Sequence, residues 1–360
     1  MIRRLSLSSL AAVGLLMVLG LMFLVFQMDD TSPIVESVPT FSGDGFWQVY
    51  FSKPNSTKSG TFRGGPDAEL VEAMDAAQFS IDMAMYRLDL WSVRDGLIRA
   101  HRRGVQVQVV TDDAHKDGLE IQSLREAGIV VIDDGRPGIM HHKFIIIDRN
   151  EVWTGSMNMT VNGAYRNDNH LLRVQSKEVA DSYTNEFDEM FLEDRFGALS
   201  LADTPYPMLE LDGVSVEIYF SPDDGVLSRI IEHMRNAEKS VEILAYALTT
   251  DTIGEMLIDL DQRGVDVRGV VETSQAQATG SETPRLRQAG LDIRLDGNPE
   301  DMHHKVIIVD EGIVIVGSYN FTRSAEEKND ENVLMLHDPA LAAQFLIEFE
   351  RIYEAATPYD

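Results

Sequence analysis

The chain has 360 residues, 44% of them hydrophobic, no cysteine, and 59 acidic against 31 basic side chains, for a formal net charge of −28. It is long enough to bury one large core or two ordinary ones, and it excludes disulfide frameworks, thiolate metal sites and cysteine nucleophiles. The acidic excess weighs against a general polyanion binder, because a basic face normally supplies non-specific affinity for nucleic acid, although a local field in a cleft can oppose that average.

In chain order, Arg3 and Arg4 are followed by a charge-free apolar run from Leu5 to Met28, long enough to cross a bilayer. It ends in FQMDD without the small residues of a signal-peptidase site. Residues 1–28 are therefore expected to be an uncleaved transmembrane anchor rather than a removed signal peptide. The two arginines would stay cytoplasmic and Asp29 and Asp30 would lie across the membrane. The remainder would be membrane-anchored and extracytoplasmic, or secreted if the segment is cut. Residues 29–46, rich in Ser, Pro, Asp and Gly, read as a stalk.

From residue 47 the pattern alternates. A strand is expected at Trp47 to Phe51, a helix at Ala68 to Ala77, a strand at Ile81 to Tyr86, a helix through Trp91 to Arg102 and a strand at Val105 to Thr111. A short helix from Leu119 stops at Gly128 and leads into Val130 to Ile132. This alternation predicts an α/β sandwich with a largely parallel or mixed sheet.

The whole pattern occurs twice. MHHKFIIIDRNEVWTGSMN at 140–158 matches MHHKVIIVDEGIVIVGSYN at 302–320 without gaps, at a spacing of 162 residues. Upstream, IDMAMYRLDL answers VEILAYALTT, RRGVQVQVVTDD answers QRGVDVRGVVET, and LREAGIVV answers LRQAGLDI. The expected organisation is thus a first α/β domain at 47–196, a linker at 197–213 marked by Pro205 and Pro207, and a second domain at 214–360.

The repeated cassette is polar yet joined to an apolar strand. Alternate strand residues share a face, so His141 and Lys143 project together and His142 points away. After a turn near Arg149 to Glu151 the chain returns, bringing Ser156 and Asn158 to one face; His303, Lys305, Ser318 and Asn320 repeat the set. An ammonium, a hydroxyl, a carboxamide and an imidazole suit a tetrahedral phosphate. Two sets facing each other would place one histidine on each side of a phosphorus, one to attack and one to protonate the leaving oxygen. Zinc on the adjacent HH pairs is not expected, since neighbouring strand residues diverge and no Cys/His pair completes a tetrahedron.

These cassettes resemble the signature of the phospholipase D superfamily, His-x-Lys-x4-Asp followed by x6-Gly-Ser-x-Asn. His141, Lys143, Asp148, Gly155, Ser156 and Asn158 match it, as do His303, Lys305, Asp310, Gly317, Ser318 and Asn320. The resemblance covers about residues 47 to 355. It implies a phosphodiesterase working through a phosphohistidine without a metal or other cofactor, with the two domains related by a pseudo-twofold at whose interface the motifs meet and no homodimer needed to complete the site. By the same resemblance His141 would attack and His303 act as acid, the two lysines would hold the phosphoryl oxygens, and Asp148 and Asp310 would brace the motif. The family also places an acidic residue downstream to orient a histidine. Glu331 occupies that position in the second unit, whereas the first has Asn169 with Asp168 beside it, leaving that orienting role open. Phospholipid is the expected substrate, hydrolysed or exchanged at its headgroup; DNA or RNA cleavage by the same two histidines is the alternative.

Overall fold

The computed structural model describes residues 45–358 apart from 55, 57 and 58. The expected anchor at 1–28 and nearly all of the expected stalk lie outside the described residues. The described residues fall in one compact unit.

The first half runs β1 (Trp47–Phe51), α1 (Pro66–Ala76), β2 (Ser80–Met85), α2 (Trp91–Arg102), β3 (Gln106–Thr111), α3 (Leu119–Glu126), β4 (Val130–Asp133), β5 (Lys143–Ile147), β6 (Glu151–Gly155), α4 (Val161–Tyr165), β7 (His170–Gln175) and α5 (Lys177–Glu193). Across the connection lie β8 (Met208–Leu211) and β9 (Val214–Ser221). The second half continues with α6 (Val226–Arg235), β10 (Ser240–Ala245), α7 (Asp251–Gln262), β11 (Asp266–Val271), α8 (Thr283–Gln288), β12 (Asp292–Leu295), β13 (Lys305–Val309), β14 (Ile313–Gly317), α9 (Arg323–Glu327), β15 (Glu331–Leu336), α10 (Pro339–Ala355) and β16 (Thr357–Pro358). The elements expected up to β4 are present within two residues of their expected ends.

The sheet direction differs from the parallel-rich expectation. The first sheet has the order β1-β7-β6-β5-β2-β3-β4 and the second β16-β12-β11-β10-β13-β14-β15-β9-β8. Among the strand ladders of the described residues, only those of β2-β3-β4 and β10-β11-β12 are parallel. The remaining ladders are antiparallel because each cassette is itself a hairpin, β5-β6 or β13-β14, whose outer strand is extended by β7 or β15. Helical crossovers impose parallel pairing only upstream of the cassette.

Strand periodicity distributes side chains among three cores. In β5, Phe144 and Ile146 face a central core shared by both halves, while Ile145 and Ile147 face the core under α1 to α3. In β13, Val306 and Ile308 join the central core, and Ile307 and Val309 the core under α6 to α8. α5 and α10 supply Tyr183, Phe187, Phe345 and Phe349 to the central core. Burial of each such side chain contributes about 1.5–3 kcal/mol, so the halves are joined by a continuous apolar layer.

The cassette turn sits one residue earlier than expected. Asp148 and Arg149, and likewise Asp310 and Glu311, carry consecutive positive φ angles, 53° and 50° or 51° and 56°, the primed-turn conformation that matches strand twist, within three-residue loops bounded by the pairs Ile147–Glu151 and Val309–Ile313.

Candidate active site

The residues just before each cassette strand pair with the opposite half. His141 N–H donates to the Asp330 carbonyl at 3.0 Å and Asp330 N–H to the Ile139 carbonyl at 3.0 Å; His303 N–H donates to Asp168 at 2.9 Å and Asp168 N–H to Asp301 at 2.9 Å. These exchanged bridges, Met140 with Asp330 and Asp168 with Met302, bring the two cassettes together.

Each catalytic candidate is consequently oriented by the other half. His141 Nδ1 lies 2.7 Å from Glu331 Oε2, and His303 Nδ1 lies 3.0 Å from both Asn169 Oδ1 and the Ser156 carbonyl. Glu331 thus serves the first histidine and Asn169 the second, which resolves the partner that the first unit's sequence left open. With Nδ1 engaged, Nε2 is the nitrogen free to work on each ring. Both rings are nine-tenths buried.

Gly155 and Gly317 make this exchange possible. Their φ angles are 146° and 154°, and an added Cβ would stand 2.5 Å from the His170 carbonyl oxygen or 2.1 Å from that of Asn332. The close approach seats β7 and β15 so that Asn169 and Glu331, each one residue earlier, reach across.

The serines act within this frame. Ser156 Oγ donates to Asn169 Oδ1 at 2.9 Å and Ser318 Oγ to Glu331 Oε2 at 2.8 Å, while the same hydroxyls accept from His170 N and Asn332 N. Their hydrogens are committed to the orienting groups rather than to a ligand. Asn158 and Asn320 differ: each has a buried Oδ1, an acceptor, without a protein partner, and only their amide N–H2 groups could donate to a phosphate.

Lys143 and Lys305 are buried and each donates to the carbonyl two residues upstream, His141 or His303, at 2.8 Å. Burial brings the Lys143 ammonium down to about 7, opposed by the nearby Glu331 and Asp112 carboxylates. Burial and the neighbouring Lys143 charge hold Lys305 well below the ordinary lysine range. Desolvation, with both lysines assisting, holds His141 and His303 well below the usual imidazole value. Glu331 is pushed up to about 7 by burial, with Lys143 opposing. All five groups sit in one electrostatic cluster, and His141 and His303 are near enough to influence each other.

Asp148 and Asp310 stand apart from this cluster, at the far ends of β5 and β13. Asp148 Oδ1 accepts from Phe79 N at 2.7 Å and Ser80 N at 3.0 Å, and Asp310 Oδ1 accepts from Lys239 N at 2.7 Å and Ser240 N at 3.1 Å. They tie each hairpin turn to the start of β2 or β10. His142 and His304 point into the central core, onto Glu186 at 2.8 Å and Glu348 at 3.3 Å.

Two further pairs escaped the sequence reading. Tyr86 and Tyr246 wall the site, their rings edge-on to His141 and His303 at 5.0 and 4.7 Å and facing Lys143 and Lys305 at 5.3 and 4.7 Å. Asp112 and Glu272 accept from Met140 N at 3.1 Å and Met302 N at 2.9 Å, fixing the entry of each cassette. Both pairs were visible as matched positions in the duplicated segments MAMY/ILAY and VTDD/VVET.

A family model described as cardiolipin synthase, phospholipase D-like domain, matches residues 70–191 and again 230–353. The chain belongs to the phospholipase D superfamily. Its similar relatives include a protein named phospholipase D from Rickettsia prowazekii (strain Madrid E), 37% identical over 141 residues, which are 39% of this chain and 69% of that one. Proteins named mitochondrial cardiolipin hydrolase are 36% identical over 128 residues in Chlamydomonas reinhardtii and 38% over 135 residues in Homo sapiens, covering 36% and 38% of this chain. The chain spans 57% and 54% of the length of those two relatives. Each match is about one repeat long. Among solved structures, phosphatidylserine synthase from Haemophilus influenzae Rd KW20 superposes with a TM-score of 0.65 at 16% identity, covering 86% of this chain and 87% of that one; both repeats therefore share its fold.

Proposed function

We propose that the chain is a phosphodiesterase that cleaves phospholipids, by hydrolysis or headgroup exchange, through a phosphohistidine on His141. The observation that carries this reading is the exchanged pair of histidines, both anchored at Nδ1 within one cluster that also holds two buried lysines.

The inequality of the anchors supports this division of roles. A carboxylate at Nδ1 stabilises the positive charge that His141 acquires when Nε2 bonds phosphorus, whereas Asn169 fixes the tautomer of His303 without adding negative charge. His141 Nε2 attacks phosphorus as the bond to the leaving oxygen breaks, and His303 gives that oxygen its Nε2 proton. His303 then takes a proton from water or an alcohol, which attacks the phosphohistidine, releases the phosphatidyl group and restores His141. Lys143 and Lys305 hold the equatorial oxygens, and an arriving phosphate anion favours their charged forms. These residues supply the required charge without a metal.

Phospholipid is favoured over nucleic acid by the rim. Three arginines near the site are already engaged: Arg87 with Asp89 at 3.2 Å, Arg136 with Asp330, and Arg351 of α10 with Asp168. Asp301, Glu300 and Asp113 add negative charge nearby. A cationic headgroup suits that surface better than a polynucleotide. The charge-free run at 5–28 would hold the site close to lipid.

The test supplies the purified chain with phosphatidylcholine vesicles and, separately, with single- and double-stranded DNA and RNA, in the presence of chelator at 25 °C. Choline release without nicking is the expected result; nicking without headgroup release would reassign the substrate. Acid-quenched trapping should capture labelled phosphohistidine in native protein and not in His141→Ala, while His303→Ala should still label slowly with an activated leaving group. Near-native turnover by either variant on an ordinary diester would overturn the two-histidine scheme.

A further inference from the structure

Away from the catalytic cluster, Glu217 of β9, His233 in the last turn of α6 and His337 just beyond β15 converge on the outer side of the second sheet. His233 Nε2 and His337 Nε2 each lie 2.9 Å from the same oxygen, Glu217 Oε1, and the three donor atoms all fall within 4.8 Å of one another. Glu217 pairs with Met335 across β9-β15. His337, two residues further along, lies on the same sheet face and is fixed by its N–H to the Ser215 carbonyl at 3.0 Å. The imidazole rings meet edge to face at 5.1 Å.

We propose that Glu217, His233 and His337 form a binding site for a divalent transition-metal ion of the zinc class. Zinc bonds to nitrogen and oxygen of about 2.0–2.2 Å imply edges of about 3.3 Å between tetrahedral ligands, within a few tenths of an ångström of the observed contacts. Tyr219 donates its hydroxyl to Glu217 Oε2 at 2.7 Å, holding the carboxylate with Oε1 toward the imidazoles, as outer-shell groups do at metal sites. The Glu217 side chain is 5% exposed and those of His233 and His337 are 16% and 32% exposed. The ligand set is therefore anchored in the protein yet reachable from solvent on the His337 side. Two imidazoles and one carboxylate suit zinc better than magnesium or calcium, which prefer oxygen ligands.

The site is not part of the duplicated catalytic frame. The corresponding positions in the first half are Gln48, Ala73 and Gln175. Gln48 Oε1 there accepts from Tyr50 and Arg173, both at 2.9 Å, so the fold is complete in that half without such a cluster. A metal in the second half would pin α6 to the β9-β15 edge of the sheet.

Zinc titrated into the chelator-stripped, desalted chain by calorimetry should bind at one equivalent. His233→Ala, His337→Ala and Glu217→Gln should each weaken binding at least 100-fold, and Tyr219→Phe about 10- to 100-fold. Excess zinc should raise the melting temperature of the native chain by about 5 °C and leave that of His233→Ala/His337→Ala unchanged; cooperative melting of each variant reports that it folds. Cobalt(II) should give the intense visible bands of a tetrahedral site. Equal zinc affinity in native chain and double variant would show that the two imidazoles merely hydrogen-bond Glu217 and overturn the proposal. Loss of the equivalent in His141→Ala or His303→Ala instead would move the metal to the catalytic cluster and overturn it equally. Because the readouts are affinity and melting, failure here leaves the phosphodiesterase reading untouched, and the reverse also holds.

Discussion

Glu331 is the residue on which the two halves of the site differ most, and Glu331→Gln isolates its charge. A glutamine oxygen can still accept from His141 Nδ1–H and Ser318 Oγ–H, so orientation survives while the negative charge is lost. Turnover should fall about 10²-fold or more, with melting nearly unchanged; a rate within threefold of native would show that tautomer alone matters. The pH profile follows from the same groups. Lys143, lowered to about 7 by burial, is charged below that pH and neutral above it, so kcat/KM should decline as pH rises through about 7. On the acid side, protonation of the His141–Glu331 pair removes the free Nε2 and activity should fall again. A bell with its maximum on the acid side of neutrality is expected. In Glu331→Gln the acid limb should move to lower pH, because the imidazole loses the carboxylate that favours its protonated form.

A second residue tests stability instead. Asp82 in β2 is buried with Oδ1 unpartnered, and burial raises its carboxyl to about 6. Its counterpart Glu242 meets Arg268 at 3.2 Å, while the position facing Asp82 is Gln108. A folded-state pKa above the unfolded value means that the folded chain binds the extra proton between about pH 4 and 6. Stability should drop across that window as pH rises and stay lower above it. Asp82→Asn should therefore gain about 1–3 kcal/mol at pH 7 and little at pH 4, read from denaturant midpoints at the two pH values.

At the scale of elements, the hairpin cassette is where sequence and structure agree most closely, and its glycines carry the geometry. Gly155→Ala should cost about 2–4 kcal/mol, since its φ of 146° disfavours any side chain and the new methyl meets a backbone carbonyl at 2.5 Å. Activity should fall further than the stability loss explains, because displacement of β7 moves Asn169 away from His303. The strands and helices of the first half as far as β4 were legible to within two residues, since apolar periodicity and glycine stops are local. Sheet direction was not. Helix-strand alternation reads as parallel pairing, but the antiparallel ladders around β5-β6-β7 depend on which edges meet after folding. The orienting partners were hidden for the same reason: Glu331 stands 190 residues from His141, and neighbourhood in the chain suggests a bond within its own repeat. The Glu217, His233 and His337 cluster has no motif spacing at all; only the pairing of β9 with β15 under α6 assembles it.

At the scale of the whole molecule, duplication creates an interdependence that a single repeat cannot satisfy. Phe144 and Ile146 share a core with Val306 and Ile308, and α5 and α10 extend across to the opposite half, contacting β9 and β1 respectively. A half produced alone would expose the apolar face that this layer buries, and its histidine would lose its Nδ1 partner. Fragments 47–196 and 214–358, expressed separately, should each aggregate or associate and show no turnover on phosphodiester. Co-expression should restore activity if the central layer suffices to dock them, with the strongest recovery when both fragments keep their cassettes. Complementation then gives a direct reading of the exchange. A first-half fragment carrying His141→Ala combined with a native second half should be inactive. So should a native first half combined with a second half carrying Glu331→Gln, although that substitution lies in the fragment that does not contain His141. If the Glu331→Gln fragment instead supported a native rate, the carboxylate would not be acting across the interface, and the assignment of attacker and acid from unequal anchors would fail.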